Sequence, residues 1–375
     1  MDKYKTSIKI AYDAKRAYHN SSGLGNYSRD LIRMMCKALP NALLFTLNPK
    51  PSNRKPFLAE NIIEIRPKWK TIGTFWRLFR GYKIAHKHHA NIFHGLSNEL
   101  PMGYSYDLKK IVTIHDVIFL RFPEWYRKTD IKIYTSKTIN ACKQADLIIA
   151  ISEQTKNDLI EFLNISEEKI QVIYQTCHPA FLQSYSTSEL NLIKEKYNLP
   201  DQFILNVGTI EPRKNLRSIL KALKEVNTIP LVAIGRQTDY YTSVKEYAKV
   251  NGLSNRLLSP KVDSMEDLAK IYQLATMFIY PSKFEGFGIP IIEALFSNIP
   301  VITNKEGVFP EAGGPNSYYI DINNRKELVS KINYILENPN EVKIACKESR
   351  TFAEKFTESV LSDQWKKTYT QLLNR

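Results

Sequence analysis

Cysteine is sparse and unpaired in this 375-residue chain: Cys36, Cys142, Cys177 and Cys346 are scattered, with no C-x-x-C pair. That spacing excludes a disulfide framework and a thiolate zinc cage, and leaves four buried free thiols as the plain reading. Long apolar runs are missing too. The longest, such as Leu147–Ile151 and Met277–Tyr280, are far too short to cross a bilayer. The opening "MDKYKTSIKIAYDAKR" lacks the uninterrupted apolar stretch of a signal peptide, so cytoplasmic synthesis and residence are expected. Acids disappear from one segment: the 34 residues between Glu64 and Glu99 hold none, against seven Lys or Arg and four His. No sequence repeat or low-complexity tract is visible.

What is present is a chain 43% hydrophobic and 24% charged, enough to bury a large core and to build two domains. The net charge is +15, and most of the excess falls in residues 1–180. Segment 66–90 concentrates it, with Arg66, Lys68, Lys70, Arg77, Arg80, Lys83 and Lys87 interleaved with Trp69, Phe75, Trp76, Phe79 and Tyr82. Such an aromatic-basic surface suits anionic lipid headgroups or nucleic acid. A solvated basic helix with its aromatics packed inward fits the same pattern.

Short β-branched or apolar runs alternate with helix-length stretches, which argues for parallel sheets covered by helices. Strands are expected near Ser7–Tyr12, Leu43–Leu47, Ile62–Ile65, Ile92–His94, Lys110–His115, Leu147–Ile151 and Ile170–Ile173. A second series follows near Phe203–Val207, Pro230–Ile234, Leu257–Leu258, Met277–Tyr280 and Val301–Thr303. Helices Asn215–Val226, Ser264–Ala275 and Pro290–Phe296 lie between these. The polar stretch from about Cys177 to Gln202 is the linker candidate, and two Rossmann-like domains meeting at a cleft are inferred. In open parallel sheets ligands sit beyond the carboxyl ends of strands, so the loops leaving strands are where chemistry is sought.

Four such loops stand out. In "NSSGLGNYSRDL", Gly23 and Gly25 precede a helix expected to start near Asn26, where bare backbone N–H groups can approach an anion. A tight turn without ligand fits as well, and the spacing is not the dinucleotide GxGxxG. In "IVTIHDVIF" an apolar strand ends in His115-Asp116, and an imidazole there can donate to or polarise a hydroxyl, although a structural histidine is the commoner outcome. The neighbouring "FHGLSNELP" adds His94, Ser97, Asn98 and Glu99. In "FILNVGTIEPRKNL" a strand ends at Gly208-Thr209, and Arg213 and Lys214 follow just before a helix, well placed for a diphosphate. Bare cations there oppose the helix dipole and call for an anionic partner. In "YPSKFEGFGIPIIEAL", Glu285-Gly286-Phe287-Gly288 forms a loop, Pro290 starts a helix, and Glu293 falls about one turn in. One carboxylate can hold a vicinal diol while the helix start receives phosphate.

Together these motifs, with "AISEQTKNDLI" at 150–160, resemble the retaining glycosyltransferases of family 4, over nearly the whole chain. The first half is most similar to bacterial polysaccharide and lipopolysaccharide mannosyltransferases. The resemblance implies an α/β GT-B fold, two Rossmann-like domains whose parallel sheets face across a cleft. Residues 1–180 would form the acceptor-side domain and 181–356 the donor domain, with a helix at about 357–375 returning to the first. It implies that Arg213 and Lys214 bind the donor diphosphate, that Glu285 lies at the donor sugar beside Gly208 and the Gly286-Phe287-Gly288 backbone, and that Glu293 holds the ribose. His115 would contact the transferred sugar, with Gly23 and Gly25 near donor phosphate. His94, Asn98 and Asp116 are the acceptor-side candidates.

The expected reaction moves a hexose, mannose by preference, from a nucleotide diphosphate sugar to a hydroxyl of a glycan or lipid-linked acceptor, with retained configuration. No D-x-D triplet occurs. No metal and no cofactor are therefore expected, the cations and a helix dipole neutralising the diphosphate instead. Peripheral attachment to the inner face of the membrane through 66–90 is expected. Two alternatives stay open: another GT-B enzyme such as a nucleotide-sugar epimerase or phosphorylase, and a basic nucleic-acid-binding protein. No RRM, KH or helix-turn-helix signature supports the latter, so no nucleic-acid partner is expected.

Overall fold

The apolar runs are short because each crosses a sheet covered on both faces, where a strand reads as nearly continuous hydrophobics rather than as alternation. In the computed structural model, which describes residues 8–20, 22–52, 56–57, 59–67, 73–226 and 229–374, the chain falls into two units. Met1–Thr176 with Glu358–Arg375 form one and Cys177–Thr357 the other.

The first unit holds β1 (Lys9–Asp13), β2 (Leu43–Leu47), β3 (Ile62–Ile65), β4 (Ile92–Gly95), β5 (Lys109–Ile114), β6 (Leu147–Ala150) and β7 (Ile170–Val172). They form one sheet in the order β3-β2-β1-β4-β5-β6-β7, with every neighbour pair parallel. On one face Ile10, Tyr12, Leu44 and Ile111 pack with helix Gly23–Ala38 and with Leu361, Trp365, Tyr369 and Leu372. Those last four come from the C-terminal helix Glu358–Leu373, whose 3.6-residue stripe thus closes a core begun at the other end of the chain. On the other face Ala11, Phe45, Phe93 and Val112 meet Trp76, Tyr82, Ala141 and Cys142 from helices Gly73–Lys87 and Lys128–Gln144.

The second unit holds β8 (Ile204–Val207), β9 (Leu231–Ile234), β10 (Leu257–Leu258), β11 (Met277–Tyr280), β12 (Val301–Asn304) and β13 (Tyr318–Ile320). Their order is β10-β9-β8-β11-β12-β13, again all parallel. In each sheet the order reverses once, between β1 and β4 and between β8 and β11. A crevice opens beyond the carboxyl ends of the strands at such a point.

The expected strands are present to within a residue or two, and Ser7 lies outside the described residues. Three features differ. Strand β13 has only the three residues Tyr-Tyr-Ile, too short to signal itself. The stretch expected to be an irregular linker contains helix Thr187–Lys196, started by a capping box in which Ser186 and Glu189 satisfy each other's backbone N–H groups. Helix Gly23–Ala38 begins three residues before the expected Asn26. Among the described residues no helix is long and apolar enough to cross a membrane.

Candidate active site

At the β8/β11 reversal two loops meet. After β8 the chain passes Gly208, at φ 143°, and turns through Pro212–Lys214 into helix Leu216–Leu223. After β11 it runs to Gly288, at φ 111°, which starts helix Ile289–Phe296 with Pro290 in its first turn. Both positive φ values fall where a side chain would be strained, so glycine is required by the turn itself.

Glu285 is buried at the centre and accepts four donors. Lys214 Nζ lies 2.5 Å and Ser282 Oγ 2.5 Å from its Oε1, Tyr280 Oη 3.1 Å from the same oxygen, and Arg213 Nη1 2.8 Å from Oε2. Burial opposes a carboxylate here, but Lys214 and Arg213 outweigh it and hold Glu285 down at about 2, ionised throughout the physiological range. Arg213 is fixed on every side: it also donates to Glu211 Oε1 at 2.7 Å and to the Phe284 carbonyl at 2.5 Å. Burial lowers Lys214, and Glu285 opposes that shift. The two cations are therefore matched by two carboxylates, Glu211 and Glu285. This alters the sequence argument, because the anionic partner the cations need is supplied within the loops before any phosphate arrives.

Glu293 lies one turn into helix Ile289–Phe296, buried, and accepts a hydrogen bond from Tyr272 Oη at 2.9 Å. Burial, reinforced by Glu293, pushes the Tyr272 hydroxyl well up, so it stays a neutral donor. Gly286 and Gly288 share the loop with Phe287, whose side chain is buried edge-on against Phe356 with ring centroids 5.4 Å apart. Phe287 therefore has only its backbone to offer a ligand, the part of it named for the donor contact. Tyr272, Tyr280 and Ser282 were not foreseen; two tyrosines amid apolar residues at helix and strand positions were the only signal.

In the first unit, His115 follows β5 and is buried. Its Nε2 lies 2.9 Å from the Leu96 carbonyl, and Tyr27 meets its ring edge-on at 4.7 Å. A carbonyl only accepts, so Nε2 carries the proton; burial lowers the ring to about 4 and keeps it neutral. The remaining nitrogen, Nδ1, can accept from a hydroxyl but not donate, which corrects the expected polarity of this contact. Asn98, at φ 57°, accepts from the His115 backbone N–H at 2.9 Å and donates to the Asp116 carbonyl at 2.9 Å. It positions that loop. Asp116 is half-buried and its Oδ1 accepts from Ile118 N.

His94 is not an acceptor-side residue. It is fully buried, with Nδ1 2.7 Å from Tyr369 Oη and Nε2 2.8 Å from Thr113 Oγ1, so both nitrogens are used inside the core. The glycine loop also changes character. Gly23 and Gly25 lie in the first helical turn, and a Cβ on Gly25 would sit 2.0 Å from the Asn20 carbonyl oxygen, whereas one on Gly23 meets nothing within 4 Å. Gly25 is thus demanded by packing; Gly23 is not.

Segment 66–90 divides. Lys68, Trp69 and Lys70 lie outside the described residues. Trp76 and Tyr82 pack inward, and Arg77, 3% exposed, is buried in ion pairs rather than adding to a surface. Phe75 and Phe79 remain 60% and 50% exposed, their rings 4.6 Å apart, beside exposed Arg80, Lys83 and Lys87. Among the described residues no three His, Cys, Asp or Glu side chains are grouped so as to hold a metal ion.

Two family models match: Glycosyltransferase Family 4 over residues 21–180 and Glycosyl transferases group 1 over residues 188–352. The O-antigen chain mannosyltransferase B of Escherichia coli is 26% identical, over 98% of this chain and 99% of its own. A glycosyltransferase from Rickettsia africae superposes with a TM-score of 0.78 at 20% identity, covering 98% of this chain and 99% of that one. HepE of Anabaena, in complex with UDP, gives 0.75 at 16%, covering 97% and 100%. Both structural likenesses speak to the fold.

Proposed function

Because the chain belongs to the glycosyltransferases of GT-B fold that these two models describe, we propose that it transfers a hexose, mannose by preference, from a nucleotide diphosphate sugar. The acceptor is a hydroxyl of a glycan or lipid-linked saccharide in cell-surface polysaccharide synthesis. The observation that carries this reading is the Arg213–Lys214–Glu285 cluster at the β8/β11 crevice: two preorganised cations, beside a helix start, at the place where a parallel sheet takes its ligand. What supports mannose is that relatives from Escherichia coli and Salmonella typhimurium are mannosyltransferases.

In the reaction, the bond between the anomeric carbon and the β-phosphate oxygen breaks, and the electron pair leaves with the phosphate. Arg213, Lys214 and the N-terminal end of helix Ile289–Phe296 stabilise that charge without a metal ion. The acceptor oxygen bonds to the anomeric carbon from the face the phosphate leaves, so configuration is retained, and its proton passes to the departing phosphate. Glu285, an ionised carboxylate saturated with donors, keeps the two cations in place and borders the sugar. A role as covalent nucleophile is disfavoured, since each of its oxygens is already hydrogen-bonded. Glu293 holds the ribose diol, with Tyr272 fixing its orientation, and His115 Nδ1 accepts from a substrate hydroxyl.

Alanine at Arg213 and Lys214 is expected to lower kcat by about two to three orders of magnitude, the usual cost of losing charge stabilisation of a leaving group. Turnover unchanged in those variants would refute the assignment, and turnover abolished by a chelator and restored by Mg²⁺ would refute the metal-free step. With donor alone, an epimerase would convert it; this enzyme is expected to require acceptor. Phe75, Phe79, Arg80 and Lys83 suit an anionic membrane surface rather than nucleic acid, in keeping with a cytoplasmic enzyme attached to the inner face. Equal sedimentation with neutral and anionic vesicles would count against that attachment.

A further inference from the structure

Tyr280, the last residue of β11, joins the apolar core to the cation pair. Its ring is buried, stacked on Phe278 with centroids 5.7 Å apart and edge-on to Phe309 at 6.3 Å. A phenylalanine would fill that space equally well. What phenylalanine lacks is the hydroxyl, and both side chains that this hydroxyl meets belong to the site: Lys214 Nζ lies 2.5 Å from it and Glu285 Oε1 3.1 Å. Glu285 has donors enough without the phenol, since Ser282 Oγ and Lys214 Nζ each lie 2.5 Å from the same oxygen. The hydroxyl matters more to Lys214, which has few acceptors.

An ammonium carries three N–H bonds, and Lys214 gives one to Glu285 Oε1 and one to Tyr280 Oη. Its stem runs along the bare backbone of Gly208, where a Cβ would lie 3.7 Å from Lys214 Cε, and its Nζ stands 4.9 Å from the centre of the Tyr280 ring. The side chain is therefore held at stem and head, with one N–H left for a ligand. Burial, reinforced by the charge of Glu285, pushes the Tyr280 phenol well above its usual range, so it stays neutral and accepts from Lys214 while donating to Glu285. Burial lowers Lys214 itself; of the charged groups that face it, Glu285 and Glu211 oppose that shift and Arg213 adds to it. A hydroxyl that accepts from the ammonium favours its charged form.

We propose that Tyr280 is a positioning residue: its hydroxyl keeps the Lys214 ammonium charged and turned so that the third N–H meets a phosphate oxygen of the donor. The phosphate rests on the transferase reading above, whereas the hold on Lys214 belongs to the free chain. A donor fixed before the leaving charge develops needs no reorganisation in the transition state, which is where such a cation gains its effect.

Two measurements on the full chain compare the wild type with Tyr280→Phe, which keeps the ring and removes the hydroxyl. In the first, without nucleotide, Lys214 is titrated by the pH dependence of its acetylation with acetic anhydride, read by peptide mass spectrometry. The variant is expected to lose its Lys214 proton about one pH unit lower, a tenfold effect on the scale of one hydrogen bond to a charged group. In the second, GDP and UDP are titrated calorimetrically at pH 7 and pH 9. Whichever nucleotide binds is expected to lose more affinity in the variant at pH 9 than at pH 7. An unmoved Lys214 titration would overturn the role, and so would an affinity loss equal at both pH values, which a merely structural tyrosine would give. If the Lys214 titration moves as proposed while the wild type binds neither nucleotide, the hold of Tyr280 on Lys214 stands and the donor reading falls. Should Tyr280→Phe unfold, Tyr280→Met, which also lacks the hydroxyl, carries the same comparison.

Discussion

Two histidines are held neutral by burial, and that shapes how the molecule responds to acid. Burial drops His94 to about 3 and His115 to about 4, against an ordinary value near 6.5. As pH falls through about 6.5 the unfolded chain takes up protons that the native chain refuses, so stability present at neutral pH is lost progressively down to about pH 4. At pH 5.5 each histidine accounts for a loss on the order of 1 kcal/mol relative to pH 7.5. The depressed carboxylates Glu99 and Glu285, both at about 2, act lower: their contribution persists above about pH 4.3 and fades only toward pH 2. All four tryptophans, Trp69, Trp76, Trp125 and Trp365, belong to the first unit, as do both histidines, so fluorescence-monitored urea unfolding isolates the effect. A midpoint equal or higher at pH 5.5 would contradict it. These roles were only half legible in the sequence. His115 after an apolar strand was visible as a strand-end group; His94, one strand earlier, has the same local signature. What separates them is Tyr369, which lies 275 positions away and binds His94 from a helix at the far end of the chain. The same holds for Arg77, whose partner Asp13 is 64 residues off, so that a buried ion-paired arginine reads locally as one more surface cation.

Among the elements, helix Gly23–Ala38 shows how two glycines of one motif can have different reasons. Its two glycines make opposite predictions. Gly25→Ala places a Cβ 2.0 Å from a backbone oxygen and is expected to destabilise by about 1–3 kcal/mol, as overpacking does. Gly23→Ala meets open space and is expected to leave stability unchanged or slightly raised, alanine being the better helix former by up to about 1 kcal/mol. Thermal melts of both variants check this. If Gly23→Ala nevertheless loses activity at unchanged Tm, a ligand approaches that backbone. Most of the strands were legible because runs such as Leu-Ile-Ile-Ala at β6 suit a sheet buried on both sides. Helix Thr187–Lys196 was missed because its apolar face is small, with Ile193 the one buried residue, although Ser186 and Glu189 had already written its start.

At the scale of the whole chain, two parallel sheets each reverse their order once, and each reversal point carries paired arginine and carboxylate side chains. The first unit depends on residues from both ends of the sequence: Trp365 and Tyr369 are fully buried against Tyr12 and His94. Trp365→Ala is expected to cost roughly 3–5 kcal/mol and to shift only the tryptophan-monitored transition of the first unit. A variant whose first unit melts as the wild type does would show that the C-terminal helix is dispensable. The second unit carries the central claim, that Arg213 and Lys214 bind a nucleotide diphosphate in the β8/β11 crevice. Thermal shift across the nucleoside diphosphates and their sugars tests it most directly, since a ligand that binds only the native state raises Tm. One base is expected to stabilise the wild type selectively, and the Arg213→Ala/Lys214→Ala variant to lose that shift. No stabilisation by any nucleotide, or an undiminished shift in the variant, would contradict it.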